Sequence, residues 1–472
     1  MNEEKLNLII NHAKRYGFIY KSSEIYNGIK GVYDYGPYGV EMKNNIKEYW
    51  WNYMVRYREN IVGIDTSILM NKKVWIASGH KKKFNEYFIK IKNKIYDIKK
   101  FIFLVFKHID YKKKYRYIYN KILLLYKNKK FKLILKKLKL IIKYKKLLYL
   151  KNIKIKKINL MFNTKINSFY KDKYTYLRPE TAQGIFINFK NIINSTKMKI
   201  PFGIAQIGKS FRNEIITKEF IFRTKEFEQM EMQFFIYPGE EKKWFKYWIN
   251  SRLSWHYFFN LGSNNYKIKK HTNLSHYTTY ATDIEFKFLN KYKELEGIHF
   301  RKNFDIKSHI KYSKKKIMIY NSKIKKKYIP YIIETSLGLD RVFYSLLCKS
   351  LINENNRIFL KLPYFISPIK VAILPLIKKD KKIIKISKYI YNNLKYKFNV
   401  IYDDKSSIGK RYHYQDSIGT PFCITIDKYS LINKTVTIRY RDNMKQIRYE
   451  IDLLYFFFKK EFDISYFFKR EI

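Results

Sequence analysis

Cysteine and long hydrophobic runs are nearly absent from this chain of 472 residues. Its two cysteines, Cys348 and Cys423, lie far apart in sequence, which excludes a disulfide scaffold and a cysteine-based zinc site. The longest apolar runs, at 101–106 and 453–458, are far shorter than the ~20 residues that span a bilayer. The N-terminal residues also lack the pattern of a secretory signal. We therefore expect a cytoplasmic protein that does not bind a membrane.

Acidic residues are in a clear minority, with 39 Asp and Glu against 98 Lys and Arg and a formal net charge of +59. Such a balance favours a polyanionic partner, either nucleic acid or an anionic membrane surface. A second interpretation needs no partner. The lysine excess accompanies 45 Tyr and 36 Phe, together with many Ile and Asn, and A/T-rich codons encode all of these residue types. The charge alone therefore does not identify the partner.

Residues 90–160 contain neither glycine nor proline and are rich in Lys, Ile, Leu and Tyr. Apolar residues recur between the lysines at helical spacing, at Phe131, Ile134, Leu135, Leu138, Ile141 and Ile142. This spacing predicts a basic amphipathic helix. In one interpretation the helix belongs to an insertion whose lysines reflect A/T-rich drift of the sequence, with a solvated basic face. In the other it contacts RNA. A membrane-surface role is the least favoured interpretation.

The remaining sequence has enough apolar residues, 46% of the chain, for two or three domains. Residues 160–350 are more varied, apart from a Lys-rich stretch at 311–327 that we expect to be a loop. A proline-punctuated linker is expected near 362–368. Beyond it, strands are predicted at 371–376, 399–404, 422–427 and 435–440, with a helix around 380–397. This last region therefore predicts a small α/β domain.

Residues 203–210, GIAQIGKS, match the phosphate-loop pattern G-x-x-x-x-G-K-[ST]. Such a loop must follow a strand and begin a helix, so that backbone N–H groups can hold phosphates. The residues after this match alternate with period two, which is typical of strands. A phosphate-loop nucleoside triphosphatase is therefore disfavoured.

Two antiparallel strands are predicted at 204–214 and 227–235, joined by a turn at about 215–222. Because alternate residues of a strand share a face, Met230, Met232 and Phe234 lie together and form core. The other face carries Gln206, Arg212, Glu214, Phe227, Gln229, Glu231 and Gln233. This face is too charged for a core and too organised for an ordinary surface.

A third segment, 331–347, combines a strand and a helix. Glu334 and Ser336 share a strand face with Ile332, and the strand ends at Gly338. Arg341 then falls in the first turn of the helix, where the helix dipole disfavours a cation. This placement indicates an anion or an aromatic ring nearby, with a surface salt bridge as the alternative.

These segments resemble the class II aminoacyl-tRNA synthetases. FRNE at 211–214 with Arg223 and FEQME at 227–231 is similar to their motif 2, and GLDR at 338–341 is similar to motif 3. Residues 31–51 are similar to the motif 1 region. The resemblance extends to the homodimeric glycyl-tRNA synthetase family through YLRPETAQGIFINFKN at 176–191, KELEGI at 293–298 and SIGKRYHYQDSIGTPF at 407–422.

The resemblance implies a mixed α/β (α+β) fold, in which helices flank an antiparallel catalytic sheet, plus a smaller C-terminal α/β anticodon-binding domain. The expected regions are 1–85 with motif 1, a Lys-rich insertion at 86–165, a catalytic core at 166–362, and the anticodon-binding domain at 363–472. A homodimer is expected, because motif 1 forms the subunit interface in the family.

The implied activity is that of a glycine–tRNA ligase. Glycine and ATP, the latter with Mg²⁺, would form glycyl-adenylate, and the glycyl group would pass to the 3′ end of tRNA(Gly). Such chemistry needs positioning and charge neutralisation more than a protein nucleophile. The alternatives are a non-catalytic, synthetase-like nucleic-acid-binding paralogue and an adenylate-forming enzyme that does not use tRNA.

The resemblance also implies roles for single residues, with Arg212, Glu214 and Arg341 as the catalytic set. Arg212 would hold the α-phosphate and the glycine carboxylate, while Phe227 and Arg341 would sandwich the adenine. The implied ATP-binding positions are Arg212, Asn213, Glu214, Phe222, Arg223, Thr224, Lys225, Glu226, Phe227, Glu294, Leu295, Gly338, Leu339, Asp340 and Arg341. Mg²⁺ would bridge the ATP phosphates, with Glu294 as a candidate ligand, and no zinc is implied.

Glycine offers no side chain to bind, so its site must hold the ammonium with carboxylates and exclude larger amino acids. The implied positions are Glu180, Phe227, Glu228, Gln229, Met230, Glu231, Glu334, Ser336 and Gly338. Strand parity favours Glu231 over Glu228, because Glu228 should point toward the Met230 face and have a structural role.

For tRNA, Arg301 is a candidate near the acceptor end. Lys410, Arg411 and Arg439 are candidates for anticodon contact, against the alternative of ordinary surface charge. Two departures from the family pattern stand out. Thr335 replaces a common proline, which would loosen a turn carrying Ser336, and a family arginine expected after the SGH segment at 78–80 has no match in 91–98.

Overall fold

The computed structural model describes residues 2–91, 94–107, 113–127, 130–144, 153–166, 174–217, 219–271, 280–321, 325–354, 357–465 and 468. The chain divides into two compact units. The first unit comprises Met1–Ile68, Glu180–Ser210 and Thr217–Ile472, and the second comprises Leu69–Pro179 and Phe211–Ile216. Within the described ranges, no helix is both long and apolar enough to cross a membrane.

The helices of the described residues run in the following order: α1 Asn2–Arg15, α2 Pro37–Trp51, α3 Lys72–Ala77, α4 His80–Lys83, α5 Ile98–Lys107, α6 Lys113–Lys127, α7 Phe131–Tyr144, α8 Ala182–Thr196, α9 Glu241–Tyr257, α10 Phe304–Ser313, α11 Leu339–Ser350, α12 Lys381–Lys395, α13 Ile408–Ile418, α14 Lys428–Asn433 and α15 Leu454–Glu461. Shorter helical turns span Glu24–Tyr26, Asn52–Arg56, Phe220–Phe222 and Ser263–Asn265.

The strands are β1 Ile19–Lys21, β2 Tyr33–Tyr35, β3 Ile61–Gly63, β4 Asn85–Ile91, β5 Lys94–Asp97, β6 Lys154–Asn159, β7 Asn163–Lys165, β8 Tyr174–Tyr176, β9 Phe202–Phe211, β10 Glu226–Ile236, β11 Tyr266–Lys270, β12 Tyr280–Phe288, β13 Lys291–Lys302, β14 Ile319–Asn321, β15 Lys326–Tyr328, β16 Tyr331–Gly338, β17 Leu351–Glu354, β18 Arg357–Leu360, β19 Val371–Pro375, β20 Val400–Tyr402, β21 Phe422–Ile426, β22 Thr435–Tyr440 and β23 Gln446–Glu450.

A large sheet of the first unit has the order β11-β12-β13-β16-β10-β9-β3. Its assigned pairs are antiparallel, except that β3 and β9 are parallel. Met230, Met232 and Phe234 are fully buried in a core that also contains residues of α2, α9 and α11. The period-two pattern of β10 therefore predicted the core face correctly. The opposite face carries Gln229, Glu231 and Gln233, followed by Phe235, which belongs to a second apolar core with α8.

Strand β9 ends earlier than the period-two pattern indicated. It stops at Phe211, and the N–H of Glu214 then donates to the carbonyl of Arg212 at 2.6 Å. The expected shared face of Gln206, Arg212 and Glu214 is therefore wrong, because strand parity does not continue past Phe211. The phosphate-loop match at 203–210 lies inside this strand, which confirms that the match is not a phosphate loop.

The strand–helix pattern of motif 3 is confirmed by β16 and α11. Gly338 ends the strand and caps the helix, and α11 buries Leu339, Val342, Phe343, Leu346 and Leu347. The expected effect of Thr335 is wrong. Thr335 lies in the middle of β16, paired with Met232 on one side and Ile298 on the other, so there is no turn for it to loosen.

The C-terminal part of the first unit contains a sheet with the order β20-β19-β21-β22-β23. The four strands predicted beyond residue 370 and the helix near 380–397 correspond to β19, β20, β21, β22 and α12, and the predicted small α/β arrangement is therefore confirmed. The sequence pattern did not predict α13, α14, α15 and β23, because these elements are short or mix polar and apolar residues without a clear period.

In the second unit, the antiparallel sheet β5-β4-β6 packs against helices of the Lys-rich region. The predicted basic helix is confirmed as α7, which buries Ile134, Leu138 and Ile142. They share a core with residues of α5, α6 and β4. The tract therefore folds around an apolar core of its own and presents lysines outward.

The second Lys-rich stretch, at 311–327, belongs to the first unit. It was expected to be a loop, but it contributes the end of α10 and most of the hairpin β14–β15. Residues 322–324 of this stretch lie outside the described residues.

Candidate active site

Two carboxylates occupy neighbouring strands on the polar face of the large sheet. Glu231 of β10 and Glu334 of β16 are 1% and 5% exposed. The Gln233 amide Nε2 donates to Glu231 Oε1 at 3.1 Å and to Glu334 Oε2 at 2.8 Å. The hydroxyl of Thr181, which caps α8, donates to Glu231 Oε2. The predicted parity of Glu231 and Gln233 is therefore confirmed.

Arg301 joins this cluster. Its Nη1 donates to Glu334 Oε2 at 2.9 Å, and its Nε and Nη2 bind both oxygens of Asp305 at 2.8 Å. The side chain is only 7% exposed. The guanidinium is therefore buried between two carboxylates, and the contact of Arg301 with tRNA stays a prediction.

The environments of the two glutamates push their pKa values apart. Burial, together with the neighbouring Glu334 and Glu180, raises the pKa of Glu231 well above its usual range. Burial alone would act similarly on Glu334, but Arg301 and the hydrogen bond from His299 outweigh it and lower its pKa. In the unliganded cluster, Glu334 is therefore ionised and Glu231 favours its protonated form. A bound cation would compensate the charge of both carboxylates, so the cluster is suited to accept one.

Glu180 lies two residues before α8. Its Oε1 accepts a hydrogen bond from Gln183 Nε2 at 2.8 Å, and Gln183 Oε1 lies 2.9 Å from His309 Nε2. Glu180 influences the titration of both Glu231 and Glu334, which indicates that the three carboxyl groups are neighbours.

Ser336 follows Glu334 on the same face of β16. Its hydroxyl accepts a hydrogen bond from Gln229 Nε2 at 2.9 Å, and Gln229 Oε1 in turn accepts one from Ser210 at 3.1 Å. Ser210, Gln229 and Ser336 thus form a chain across three strands that fixes the Ser336 side chain.

Arg341, the cation that the helix dipole disfavours at the start of α11, packs against an aromatic ring. The Arg341 guanidinium carbon is 4.6 Å from the Phe222 ring centroid, and Nη1 lies 3.1 Å from Glu294 Oε1. Nη1 also donates to the Glu294 carbonyl at 3.1 Å. The expected aromatic neighbour is therefore present, and its identity here is Phe222. Leu295, beside Glu294, is 1% exposed, so its side chain is core.

Glu228, Asp340 and Met230 lie on the opposite side of β10 from Glu231. Lys43 of α2 is 2.5 Å from Glu228 Oε2 and 3.5 Å from Asp340 Oδ1. Asp340 also accepts hydrogen bonds from the Tyr35 hydroxyl and, at 2.9 Å, from the N–H of Glu228. In this structure the two carboxylates are tied to α2 and the methionine side chain is core. The assignments of Glu228 and Met230 to glycine and of Asp340 to ATP stay predictions.

The motif 2 segment after the turn is anchored by local hydrogen bonds. The Thr224 hydroxyl donates to the Glu226 carbonyl at 2.9 Å, and the Lys225 N–H donates to Gly31 at 2.7 Å. Lys209 lies 2.5 Å from Glu226. Phe227 is half-buried at the start of β10. The assignments of Arg223, Thr224, Lys225, Glu226, Phe227, Gly338 and Leu339 to substrates stay predictions.

Arg212, Asn213 and Glu214 belong to the second unit. Arg212 Nε donates to the carbonyl of Pro179 at 3.0 Å, and its guanidinium carbon lies 5.5 Å from the Phe84 ring centroid. The N–H of Asn213 donates to Leu160 at 2.7 Å. These contacts hold the segment in place within that unit, while its predicted roles toward ATP and glycine stay predictions.

Comparisons with known proteins agree with this arrangement. The family described as "tRNA synthetase class II core domain (G, H, P, S and T)" matches residues 162–349, and the family described as "Anticodon binding domain" matches residues 370–461. The glycine–tRNA ligase of Borrelia hermsii is 43% identical over 464 residues, covering 96% of each chain. That of Chlorobaculum tepidum is 42% identical over 476 residues, covering 94% of this chain and 97% of the relative.

The chain belongs to the glycine–tRNA ligase family.

Solved structures share the fold of this glycine–tRNA ligase family member at low sequence identity. A structure described as the RNA-binding domain of threonyl-tRNA synthetase from Cryptosporidium parvum Iowa II has a TM-score of 0.65 at 16% identity, covering 96% of this chain and 98% of that one. A prolyl-tRNA synthetase from Cryptosporidium parvum has a TM-score of 0.61 at 14% identity, covering 98% and 78%. The class II synthetase fold with its C-terminal anticodon-binding domain is therefore confirmed.

In this family member, two of the three residues suggested for anticodon contact are buried. Arg411 is 1% exposed and donates to the carbonyls of Pro375 and Asp403, both at 2.9 Å. Arg439 is 6% exposed and binds Asp416 through two hydrogen bonds of 2.9 and 3.0 Å. Both guanidiniums therefore have partners inside the domain, whereas Lys410 is exposed. The assignments of all three residues to anticodon contact stay predictions.

Sequence reasoning missed four groups that complete the carboxylate cluster: Thr181, Gln183, His299 and Asp305. Strand parity had already placed Gln233 beside Glu231. The four-residue spacing of Arg301 and Asp305 gave no signal, because Arg301 lies at the end of a strand and Asp305 at the start of the next helix. Nothing in the sequence indicated His299, because its contact with Glu334 depends on the register between β13 and β16.

Proposed function

We propose that this chain is a glycine–tRNA ligase that forms glycyl-adenylate from glycine and ATP and then transfers the glycyl group to tRNA(Gly). The observation that carries the proposal is the cluster of the buried Glu231 and Glu334 with the half-buried Glu180, in a chain of the glycine–tRNA ligase family. Such a cluster binds a compact cation, and the ammonium of glycine offers three N–H donors to three carboxyl groups.

In the first step, a carboxylate oxygen of glycine attacks the α-phosphorus of ATP, and pyrophosphate leaves. Arg212 would hold the α-phosphate and the glycine carboxylate, and Arg223 would hold the distal phosphates. Arg341 would stack on the adenine, consistent with its present position over Phe222. The protein would act by positioning and by neutralising charge, without a covalent intermediate on a side chain.

In the second step, a ribose hydroxyl at the 3′ end of tRNA(Gly) attacks the carbonyl carbon of the adenylate, and AMP leaves. The hydrogen-bonded chain of Ser210, Gln229 and Ser336 supports exclusion of larger amino acids, because it fixes Ser336 next to Glu334. We place the anticodon contacts in the region 370–461, where the anticodon-binding family matches.

The carboxylates on the ATP side are of the type that Mg²⁺ binds. Glu294 and Glu285 are directly opposite each other on β13 and β12, and Mg²⁺ usually takes one or two carboxylates together with substrate phosphates. In this structure Glu294 pairs with Arg341 and Glu285 with Lys269, so the ion would replace one of these cations. Glu294 would hold the ion against the phosphates, and the ion would supply charge neutralisation. A homodimer formed through the motif 1 region and a cytoplasmic location complete the proposal.

Amino-acid-dependent ATP–pyrophosphate exchange on the purified protein, without tRNA, tests the proposal. Each of the twenty amino acids is assayed separately. Exchange with glycine alone is the expected result. If folded protein gives no exchange with any amino acid, the adenylate chemistry is excluded and the non-catalytic paralogue replaces it.

A further inference from the structure

His299 of β13 lies opposite Glu334 in the register of the large sheet, and its ring faces the same polar side. Its Nδ1 is 2.9 Å from Glu334 Oε1. We propose that His299 is a positioning residue for glycine activation, whose Nδ1–H orients the Glu334 carboxylate toward the ammonium of glycine. The inference rests on the proposed function, because it assigns a role within the same glycine site.

The hydrogen bonds of Glu334 show what His299 contributes. Oε2 already accepts two hydrogen bonds, from Arg301 Nη1 and Gln233 Nε2. Oε1 accepts one from His299, and a carboxylate oxygen has two acceptor sites. Among the residues that the structure describes, one site on Oε1 therefore remains for a ligand donor. His299 holds that oxygen in place, because without it the carboxylate could rotate about its bond to the side chain.

The charges in the cluster require His299 to be the donor. The pKa of Glu334 is lowered, so its carboxylate is ionised and can only accept hydrogen bonds. The proton must then lie on Nδ1 of the imidazole. The pKa of His299 is itself raised: burial opposes its charge, but Glu334 more than compensates.

The other side of the imidazole faces Asp283 at a distance longer than a hydrogen bond. Asp283 Oδ1 lies 3.9 Å from His299 Nε2, and Asp283 Oδ2 is 2.7 Å from His271 Nε2. Beneath the ring, Gly297 leaves the necessary space. A Cβ at position 297 would lie 2.9 Å from His299 Cε1 and 3.1 Å from Nε2, which is closer than such contacts allow.

Substitutions at position 299 can separate positioning from mere packing. The amide nitrogen of asparagine lies where Nδ1 lies, whereas that of glutamine lies one bond further out. We expect His299→Ala and His299→Gln to raise the KM for glycine on the order of tenfold or more, the scale of a hydrogen bond to a charged group. His299→Asn should restore it to within about threefold of wild type. The KM for ATP should stay unchanged in all three variants.

Gly297→Ala provides an independent test that keeps the imidazole. Its new methyl group would push the ring away from Glu334, so the KM for glycine should rise in the wild-type background. The same substitution should add little in the His299→Ala background, because the obstructing ring is gone. If His299→Ala folds poorly, the Gly297→Ala single variant still tests the inference, because it keeps the imidazole.

Three results would overturn the inference: a glycine KM for His299→Ala within about twofold of wild type, an equal loss in His299→Asn and His299→Ala, or a parallel rise in the KM for glycine and ATP. Melting temperatures of all variants serve as the control for folding. Failure of the proposed function would be distinguishable, because wild-type protein would then show no glycine-dependent exchange at all.

Discussion

Glu231 and Glu334 share a single donor, the amide nitrogen of Gln233, at 3.1 and 2.8 Å. Two buried carboxylates on adjacent strands are thus bridged by one neutral group. Arg301 neutralises the negative charge of Glu334 directly. Within the described part of the chain, Glu231 accepts its hydrogen bonds from the neutral side chains of Thr181 and Gln233. The ionised form of Glu231 is therefore the one that most needs a bound cation.

Glu231→Gln should weaken glycine activation strongly. The amide keeps the size of the side chain but cannot pair with an ammonium, and removing one partner of a buried charged pair costs about 2–5 kcal/mol. We expect the KM for glycine in pyrophosphate exchange to rise by about thirtyfold or more, with tRNA affinity nearly unchanged. Unaltered exchange would remove Glu231 from the glycine site.

Glu228→Gln is the matched control, because Glu228 lies three residues away on the opposite face and pairs with Lys43. We expect a lower melting temperature and a KM for glycine within about twofold of wild type. If Glu228→Gln and Glu231→Gln affected glycine equally, the assignment of the two faces of β10 to substrate and structure would fail.

Periodicity and motif spacing predicted those parts of the site that a single strand or helix determines. The two faces of β10 and the position of Arg341 at the start of α11 are examples, because neighbours in one element have fixed directions. The partners of Arg301, Arg411 and Arg439 could not be predicted in this way. They lie on other elements, and burial of an arginine depends on tertiary contacts that spacing does not report.

Glycine should stabilise the protein more at higher pH. Burial and the neighbouring Glu334 and Glu180 raise the pKa of Glu231, and a carboxyl with a raised native pKa loses its stability contribution as the pH rises through that value. The ammonium of glycine replaces the lost proton as the compensating group. Glu334 does not interfere, because its pKa is lowered and its own contribution is lost only in acid.

The measurement is the rise in melting temperature caused by saturating glycine, taken at about pH 6 and about pH 8. We expect a larger rise at the higher pH for wild type. The difference between the two pH values should be smaller for Glu231→Gln, in which His299, whose pKa is also raised, still titrates. An equal rise at both pH values in the wild-type protein would contradict the assignment of a raised pKa to Glu231.

Lys43→Met should destabilise the protein more than any nearby lysine substitution. Lys43 lies 2.5 Å from Glu228 and 3.5 Å from Asp340, with 9% of its side chain exposed. Its loss would leave two mostly buried carboxylates without their common cation, at a cost of about 3 kcal/mol. The midpoint of chemical denaturation measures this effect.

Lys47→Met, one helical turn further along α2, is the control. Lys47 contacts the same Glu228 at 3.6 Å, but 29% of its side chain is exposed. Its loss should therefore shift the midpoint much less. Equal shifts would show that Lys43 does not join α2 to motifs 2 and 3.

The lysines of α7 test whether the basic tract contacts RNA or is drifted sequence. Lys132, Lys136, Lys139 and Lys143 are exposed, while Ile134, Leu138 and Ile142 of the same helix are buried. Changing the four lysines to glutamine should therefore remove charge without disturbing the core. If these lysines bind phosphates, the slope of log affinity for tRNA(Gly) against log salt should become shallower by about 0.9 for each phosphate that is no longer neutralised.

A variant with Lys242, Lys243 and Lys246 of α9 changed to glutamine is the control for general loss of positive charge, because these lysines are also exposed. An equal change of slope in both variants would indicate a non-specific field effect, since the position of the lysines would then not matter. An unchanged slope in the α7 variant would show that the lysine face does not bind RNA and that its lysines reflect drift of the sequence on a folded core.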